Sequence, residues 1–228
     1  MEPQEVGMQA EKPGIDVKRR LLIIPIVHSE QEMGSLAGDI GRVFDETFGA
    51  DQRDKHRREV KEFWDRLFLI VRTITEIVDP GTIQIYQDGM PVGGELGKRV
   101  IREGAESGIP NNILVNELIQ KGATLMQTEE PALLKEEYEL LTTIFRAPSQ
   151  EEREQYADQY KHRLYELTID RDRGIARLID QSLVPGMLGI MFIGATHQVQ
   201  QYIAPDIDVY TCQFDVDAVI SWITGQTP

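Results

Sequence analysis

The run Leu21-Leu22-Ile23-Ile24-Pro25-Ile26-Val27 decides the fold, and it lies between the basic residues 18–20 and the polar residue His28. A continuous apolar run of this length is typical of a strand that is covered on both faces in a parallel sheet. Pro25 removes one backbone donor from such a strand, because proline has no N–H. The run therefore predicts a first strand over 21–27 that ends at His28.

Apolar runs and helical periods alternate through the rest of the chain. Further strands are predicted at 82–87, 123–128, 189–195 and 207–214. Apolar residues at helical spacing predict helices at 35–48, 60–77, 95–121 with a pause at 108–112, 131–145, 149–182 and 218–223. Strands separated by helices imply right-handed crossovers. We therefore expect an α/β fold with a mostly parallel sheet of about five strands, helices on both faces, and a long helical segment after strand 1.

Several local signals predict where the helices begin and end. Asn111 or Asn112 is a good N-cap for the helix after the pause, and Gly122 is expected to end that helix. Ser149 stands three residues before Glu152, which is the spacing of a capping box. Residues 51–62 mix both charge signs and are expected to form a solvated helix face or a turn.

The domain organisation follows from the same patterns. Residues 1–17 carry no hydrophobic period and are expected to form a flexible N-terminal tail, although an acidic tail can also dock. Residues 18–228 are expected to form a single α/β domain with a helical insertion at 30–78. The helix at 57–78 carries more apolar surface than one sheet face covers, so we expect a homodimer that buries the surplus. The apolar residues concerned are Phe63, Trp64, Leu67 and Phe68.

The composition argues against nucleic acid and membranes as partners of this protein. The chain has 24 Lys and Arg against 38 Asp and Glu, a formal charge of −14, so nucleic acid is not expected as a partner. Cys212 is the one cysteine, which rules out an intrachain disulfide and suits a reducing compartment. The longest apolar run has seven residues, and the opening Met1–Glu5 does not resemble a signal peptide. We therefore expect a cytoplasmic protein with no membrane partner.

Four polar side chains stand directly after four predicted strands: His28, Asp88, Glu129 and His197. The carboxyl ends of parallel strands lie on one edge of a sheet, where open α/β sheets bind ligands, so these side chains should meet. Two imidazoles and two carboxylates suit a divalent metal (Mn, Fe, Co or Zn) that activates water. Each residue could instead form a turn or cap a helix, and together they could merely satisfy one another.

Three further residues join the candidate site. Arg171 falls on the apolar stripe of the long helix, so it either pairs with Asp172 or a rim carboxylate, or binds an anionic substrate. Gly194 gives a ligand close access to the backbone at the end of its strand. Ser29 is a candidate substrate-binding residue, although the chain lacks the G-x-S-x-G motif of a serine hydrolase. Methionines near the rim are most simply core and pocket wall, but one of them could serve as a haem ligand, so haem is a second and less favoured cofactor.

The motifs at the two ends of the chain resemble the TraB/Tiki-like superfamily. Segment 170–176 (Asp-Arg-Asp-Arg-Gly-Ile-Ala) is similar to its E-R-N/D-x-x-M-A helix, and 192–197 (Phe-Ile-Gly-Ala-Thr-His) to its strand ending in G-x-x-H. Residues 25–28 stand in the place of a first G-x-x-H, with Pro25 where that motif has Gly, and Glu129 in the place of an acidic residue. The segment 30–78 has no counterpart in that pattern. The resemblance implies a parallel-centred sheet with hydrolysis or prosthetic-ligand binding.

The sequence thus favours a hydrolase of the Tiki-like type, metal-dependent or activating water through His and Glu, that acts on a small or peptide-like substrate. In this hypothesis His28, His197 and Glu129 hold a metal or activate water, Asp88 assists as a further ligand, and Arg171 binds negative charge. The alternative is a non-catalytic protein that binds haem or another ligand, or a partner, on the same scaffold.

Overall fold

A computed structural model describes residues 18–225, and its centre is a five-stranded sheet in which every pairing is parallel. The strands are β1 (Arg19–Ile26), β2 (Ile83–Gln87), β3 (Thr124–Leu125), β4 (Leu188–Gly194) and β5 (Ile207–Thr211). Their spatial order is β3-β2-β4-β1-β5. The predicted α/β class is confirmed. The predicted tail at 1–17 lies outside the described residues.

Helices connect the strands. They are α1 (Ala37–Phe48), α2 (Ala50–Ile77), α3 (Gly94–Glu106), α4 (Pro110–Gln120), α5 (Pro131–Phe145), α6 (Gln150–Ser182) and α7 (Val216–Thr224). A 3-10 segment, Glu30–Leu36, joins β1 to α1, so the expected helical segment does lie between the first two strands. Residues 51–62 belong to α2, and the alternative of a turn there was wrong. Within 18–225, no helix combines the length and the apolar character needed to cross a membrane.

The alternation of β1 side chains divides the core into two layers. Leu22 and Ile24 pack with α2, where Trp64 and Leu67 are buried, and α3 and α4 cover the same face. Leu21 faces the opposite layer, which is formed mainly by α6. Helices therefore cover both faces of the sheet, and this explains why β1 is apolar throughout.

Strand register brings the candidate residues to one edge. Ile26 is paired with Gly194, and Gln87 is paired with Phe192, so β1, β2 and β4 end at nearly the same level. Pro25 fits without loss of a ladder bond. The backbone oxygen of Ile23 accepts from Cys212, and Pro25 faces the same side, where pairing with β5 has already ended.

Several boundaries differ from the predictions: β1 spans Arg19–Ile26 and not 21–27, and the strand expected at 207–214 ends at Thr211. Two further differences have a visible cause. The strand expected at 123–128 has only two residues. Met126 still donates its N–H to Ile85 of β2, but Thr128 and Glu129 both donate to the oxygen of Met90 in the loop that follows β2. The cap expected at Asn111 or Asn112 was wrong, because α4 begins at Pro110 with Ile109 as its N-cap. The cap at Ser149 is confirmed, since its hydroxyl accepts from the N–H of Glu152 at 3.2 Å.

Candidate active site

A cavity of about 510 Å³ lies at the carboxyl ends of β1, β2 and β4. Of the predicted residues, its wall contains His28, Asp88, Arg171, Gly194 and His197. Glu129 is buried directly behind them, bonded to Arg171. Ser29 is the exception, because it lies on the other side of His28, in a second cavity. The topology therefore brings together residues that are up to 169 positions apart in the chain.

Asp88 is the centre of the cluster. Its Oδ2 accepts from the N–H of Gly194 at 2.9 Å and lies 3.2 Å from Nε2 of His28, while its Oδ1 accepts from Arg171 at 2.7 Å. Burial opposes ionisation, but the hydrogen bond with His28 and the charge of Arg171 outweigh it and hold the pKa of Asp88 below its usual range. Asp88 is therefore an ionised acceptor and a weak base.

Arg171 is buried and bound by three carboxylates. Its Nε and Nη2 donate to the two oxygens of Glu129 at 3.0 and 2.6 Å, Nη2 also donates to Asp88, and Nη1 donates to Glu137 at 2.7 Å. Burial alone would lower the pKa of Arg171, but these carboxylates raise it, so the guanidinium remains charged. Of the two structural alternatives, the partner is the rim carboxylate and not Asp172. Arg171 fixes the positions of the acids.

Glu129 is buried behind Asp88 and binds Arg171. Both of its oxygens accept from Arg171, and Oε1 also accepts from the N–H of Gly89 at 3.2 Å. Burial raises the pKa of Glu129, although Arg171 acts against the shift. Because both oxygens are already bonded, Glu129 holds Arg171 in place and is poorly placed to activate water.

His197 forms a pair with Asp172 of α6. The Nδ1 of His197 lies 2.5 Å from Oδ1 of Asp172, whose other oxygen accepts from the N–H of Gln198 at 2.8 Å. The Nε2 of His197 is 3.8 Å from Asp88 and has no hydrogen-bond partner among residues 18–225. Burial lowers the pKa of His197, but the bond to Asp172 and the charge of Asp88 outweigh burial and raise it. A buried carboxylate thus orients this imidazole toward the cavity.

Sequence reasoning missed Asp172 as the partner of His197, although a signal was present. Asp172 is 3% exposed, and it stands three and four residues before the buried residues Ile175 and Ala176. A carboxylate on the buried stripe of a helix needs a partner for the same reason that Arg171 does. The two charged neighbours on α6 therefore support two different parts of the site.

His28 is the exposed member, with 38% of its side chain accessible. Its Nε2 faces Asp88, and its Nδ1 lies 3.6 Å from Glu32. Hydrogen bonding to these two carboxylates raises the pKa of His28 to about 10. Glu32 was also missed, although Ser29-Glu30-Gln31-Glu32 has capping-box spacing and the Ser29 N–H does donate to Glu32. His28 therefore presents a positive charge to the cavity at neutral pH.

The donor atoms do not fit the predicted metal centre. Arg171 occupies oxygens of both Asp88 and Glu129, so a cation there would compete with a buried guanidinium. The part of the chain that the structure describes contains no group of three or more His, Cys, Asp or Glu side chains arranged to hold a metal ion. A divalent metal with His28, His197, Glu129 and Asp88 as ligands stays a prediction, as does haem.

The cavity is also lined by apolar residues, which are Met33, Met90, Val100, Ile109, Leu134 and Leu141. Polar side chains share the lining with them, including Glu32, Asn111 and Glu137. A cavity with this mixed lining suits a ligand that has an apolar group next to a polar, reactive group.

The space around Gly194 leaves little room for a side chain, so substitution of this glycine should disturb the pair of His28 and Asp88. A Cβ at this position would lie 3.0 Å from Nε2 of His28 and 3.1 Å from Oδ2 of Asp88. We expect Gly194→Ala to push His28 away from Asp88 and to lower the pKa of His28 from about 10 toward its ordinary value of 6.5. An NMR titration of the imidazole checks this. Gly38→Ala, where a Cβ meets nothing within 4 Å, is the control. An unchanged pKa in Gly194→Ala would contradict the packing.

Comparisons with known proteins found no relative of this chain. No protein-family model, no curated protein and no solved structure matches this chain. The resemblance to the TraB/Tiki-like superfamily therefore rests on the short motifs alone.

Proposed function

We propose that this protein is a hydrolase that activates water through His197 and Asp172 and acts on a small or peptide-like substrate in the 510 Å³ cavity. One observation carries the proposal: Nε2 of His197 borders the cavity with no hydrogen-bond partner among residues 18–225, while the buried Asp172 holds Nδ1. This is the arrangement of a general base whose tautomer and direction are fixed.

The chemistry follows from the neighbouring charges. His197 in its neutral form takes a proton from water at Nε2, and the water oxygen attacks the substrate carbonyl carbon. Negative charge then grows on the carbonyl oxygen, and the imidazolium of His28 stabilises it through its charge alone, because both ring nitrogens face carboxylates. His197 returns the proton to the leaving nitrogen or oxygen as the bond to carbon breaks. Asp88 lies between the imidazoles of His28 and His197, and Arg171 holds Asp88 in place.

Water is the nucleophile because the cavity offers no activated side chain. Two hydroxyl residues, Thr168 and Thr196, line the described cavity. Thr168 donates its hydroxyl to the backbone oxygen of Leu164, and neither threonine is bonded to His197. A serine or cysteine mechanism needs a nucleophile within hydrogen-bond reach of the base. The motif resemblance is compatible with hydrolysis and equally with the binding of a prosthetic ligand.

A substrate panel tests the proposal. Fluorogenic acyl and aminoacyl amides and esters are incubated with wild type and His197→Gln, before and after removal of metals with a chelator. Hydrolysis that depends on His197 and survives chelation supports the mechanism. Loss of activity on chelation, restored by one divalent metal, favours the metal-dependent alternative. Activity that is the same in both proteins, or no activity with ligand binding intact, overturns the proposal and favours a binding protein.

The pH profile is predicted to be bell-shaped. His197 must lose its proton to act, so kcat/KM should rise with pH through a pKa above the ordinary value of 6.5. His28 must keep its proton, so kcat/KM should fall as pH passes about 10. Initial rates from pH 5 to 11 check this, and His28→Gln should remove the alkaline limb. An acid limb below pH 6 would contradict the assignment of the base.

A further inference from the structure

A second cavity of about 370 Å³ borders the first one. Its apolar wall comes from α2 and α4 and contains Val60, Trp64, Phe68, Pro110 and Ile113. His28 lines both cavities, and Ser29 belongs to the second alone. His28 is therefore the residue of the cluster that the two cavities share.

Two polar atoms beside the second cavity lack partners. Nε1 of Trp64 and Oγ of Ser29 are buried, and neither has a hydrogen-bond partner in the described part of the chain. The residues are 2% and 7% exposed. Both atoms are closed to a water-sized molecule, so a ligand in the cavity does not bond to them. Recognition in this cavity therefore comes from its apolar wall.

The charges at the rim cancel each other. Arg57 donates to Glu30 at 2.8 Å, and Lys61 donates to Asp65 at 2.6 Å. The remaining charge in the lining is that of His28, whose two ring nitrogens face Asp88 and Glu32. An apolar chamber whose charged side chains are all paired suits an uncharged, apolar group.

We propose that the second cavity is a substrate subsite that binds an uncharged apolar residue of a peptide-like substrate, on the opposite side of the reacting bond from the group in the first cavity. The proposal depends on His28, because this residue lines both cavities. A substrate that occupies both cavities would lie against its imidazole. The assignment of sides rests on the proposed function.

A binding experiment tests the subsite without reading hydrolysis. Trp64 and Trp222 are the two tryptophans, so the full chain with Trp222→Phe reports from Trp64 alone. We titrate it with N-acetylphenylalaninamide and expect a saturable change in emission. N-acetylglycinamide lacks the apolar side chain, and its Kd should be at least about tenfold higher.

Two variants locate the probe. Ile113→Phe fills the cavity and should raise the Kd of N-acetylphenylalaninamide about tenfold or more. Leu69→Phe adds the same ring on an exposed position of α2 outside the cavity and should leave the Kd unchanged. Circular dichroism verifies that both variants fold, and Val60→Phe replaces Ile113→Phe if that variant does not.

The outcomes separate this proposal from the hydrolase. No saturable change, or equal binding of the two amides, overturns the subsite even if the protein is an active hydrolase. Equal Kd values in Ile113→Phe and Leu69→Phe also overturn it. Specific binding in a protein without hydrolytic activity supports the cavity as a ligand site and overturns the hydrolase instead.

Discussion

Arg171→Met should lower the free energy of unfolding by about 3–5 kcal/mol, because it leaves buried carboxylates without their counter-charge. Glu129 is 1% exposed and loses two hydrogen bonds, and Asp88 loses one. Methionine fills much of the volume of the arginine side chain, so the change reports on charge more than on a cavity. Urea unfolding at pH 7, followed by circular dichroism, measures it.

The matched control is Arg177→Met on the same helix. Arg177 donates to Glu130 at 2.6 Å, but the two side chains are 53% and 41% exposed. An exposed pair contributes less than about 1 kcal/mol, so this variant should be close to wild type. Adding Glu129→Gln to Arg171→Met should destabilise less than the sum of the two single changes, because it removes the unpaired charge. A loss in Arg171→Met as small as in Arg177→Met would show that water reaches these carboxylates.

The convergence of the site was predictable from the sequence, because it depends on topology alone. Once β1, β2 and β4 are parallel and adjacent, their carboxyl ends share an edge, and the residues that follow them meet. The motif-bearing positions His28, Asp88 and His197 follow from this without any knowledge of side-chain geometry. Arg171 was found by a different argument, from its place on the apolar stripe of the long helix.

The pairing within the site was not predictable. Arg171 and Asp172 are neighbours in sequence but differ by about 100° around the helix, so they reach different partners. Which carboxylate each cation meets depends on the loops that carry Glu129 and His197, and periodicity does not specify loop paths. The same limit applies to Asn112, whose preference for a cap is overridden because it accepts a hydrogen bond from the buried Gln87.

The second cavity could not be predicted from the sequence, because its walls come from separate segments of the chain. Trp64 on α2 and Ile113 on α4 belong to different crossover segments, and each follows an ordinary helical period. The space between them arises from the angle at which the two helices pack on the sheet. The apolar residues of α2 suggested a dimer, but Trp64 and Leu67 are buried within the chain itself. The homodimer stays a prediction.

His197→Gln should reduce kcat by about 10²–10⁴-fold, which is the usual contribution of a general base. Asp172→Asn tests the same step through the partner of the base. Asparagine preserves size and an acceptor for the N–H of Gln198, but its amide can present a donor to Nδ1 and turn the imidazole to the wrong tautomer. We therefore expect Asp172→Asn to lower kcat by at least about 10²-fold with KM little changed.

Asp170→Asn is the control for Asp172→Asn, because Asp170 lies on the exposed side of the same helix, with 45% of its side chain accessible. It should leave kcat and the pH profile unchanged. A structural role for Asp172 alone would lower the unfolding temperature without moving the acid limb of the profile. The proposed role requires more: with the carboxylate gone, the pKa of His197 should fall and the acid limb should move to lower pH. If kcat falls no further in Asp172→Asn than in Asp170→Asn, His197 does not activate water with the help of this carboxylate.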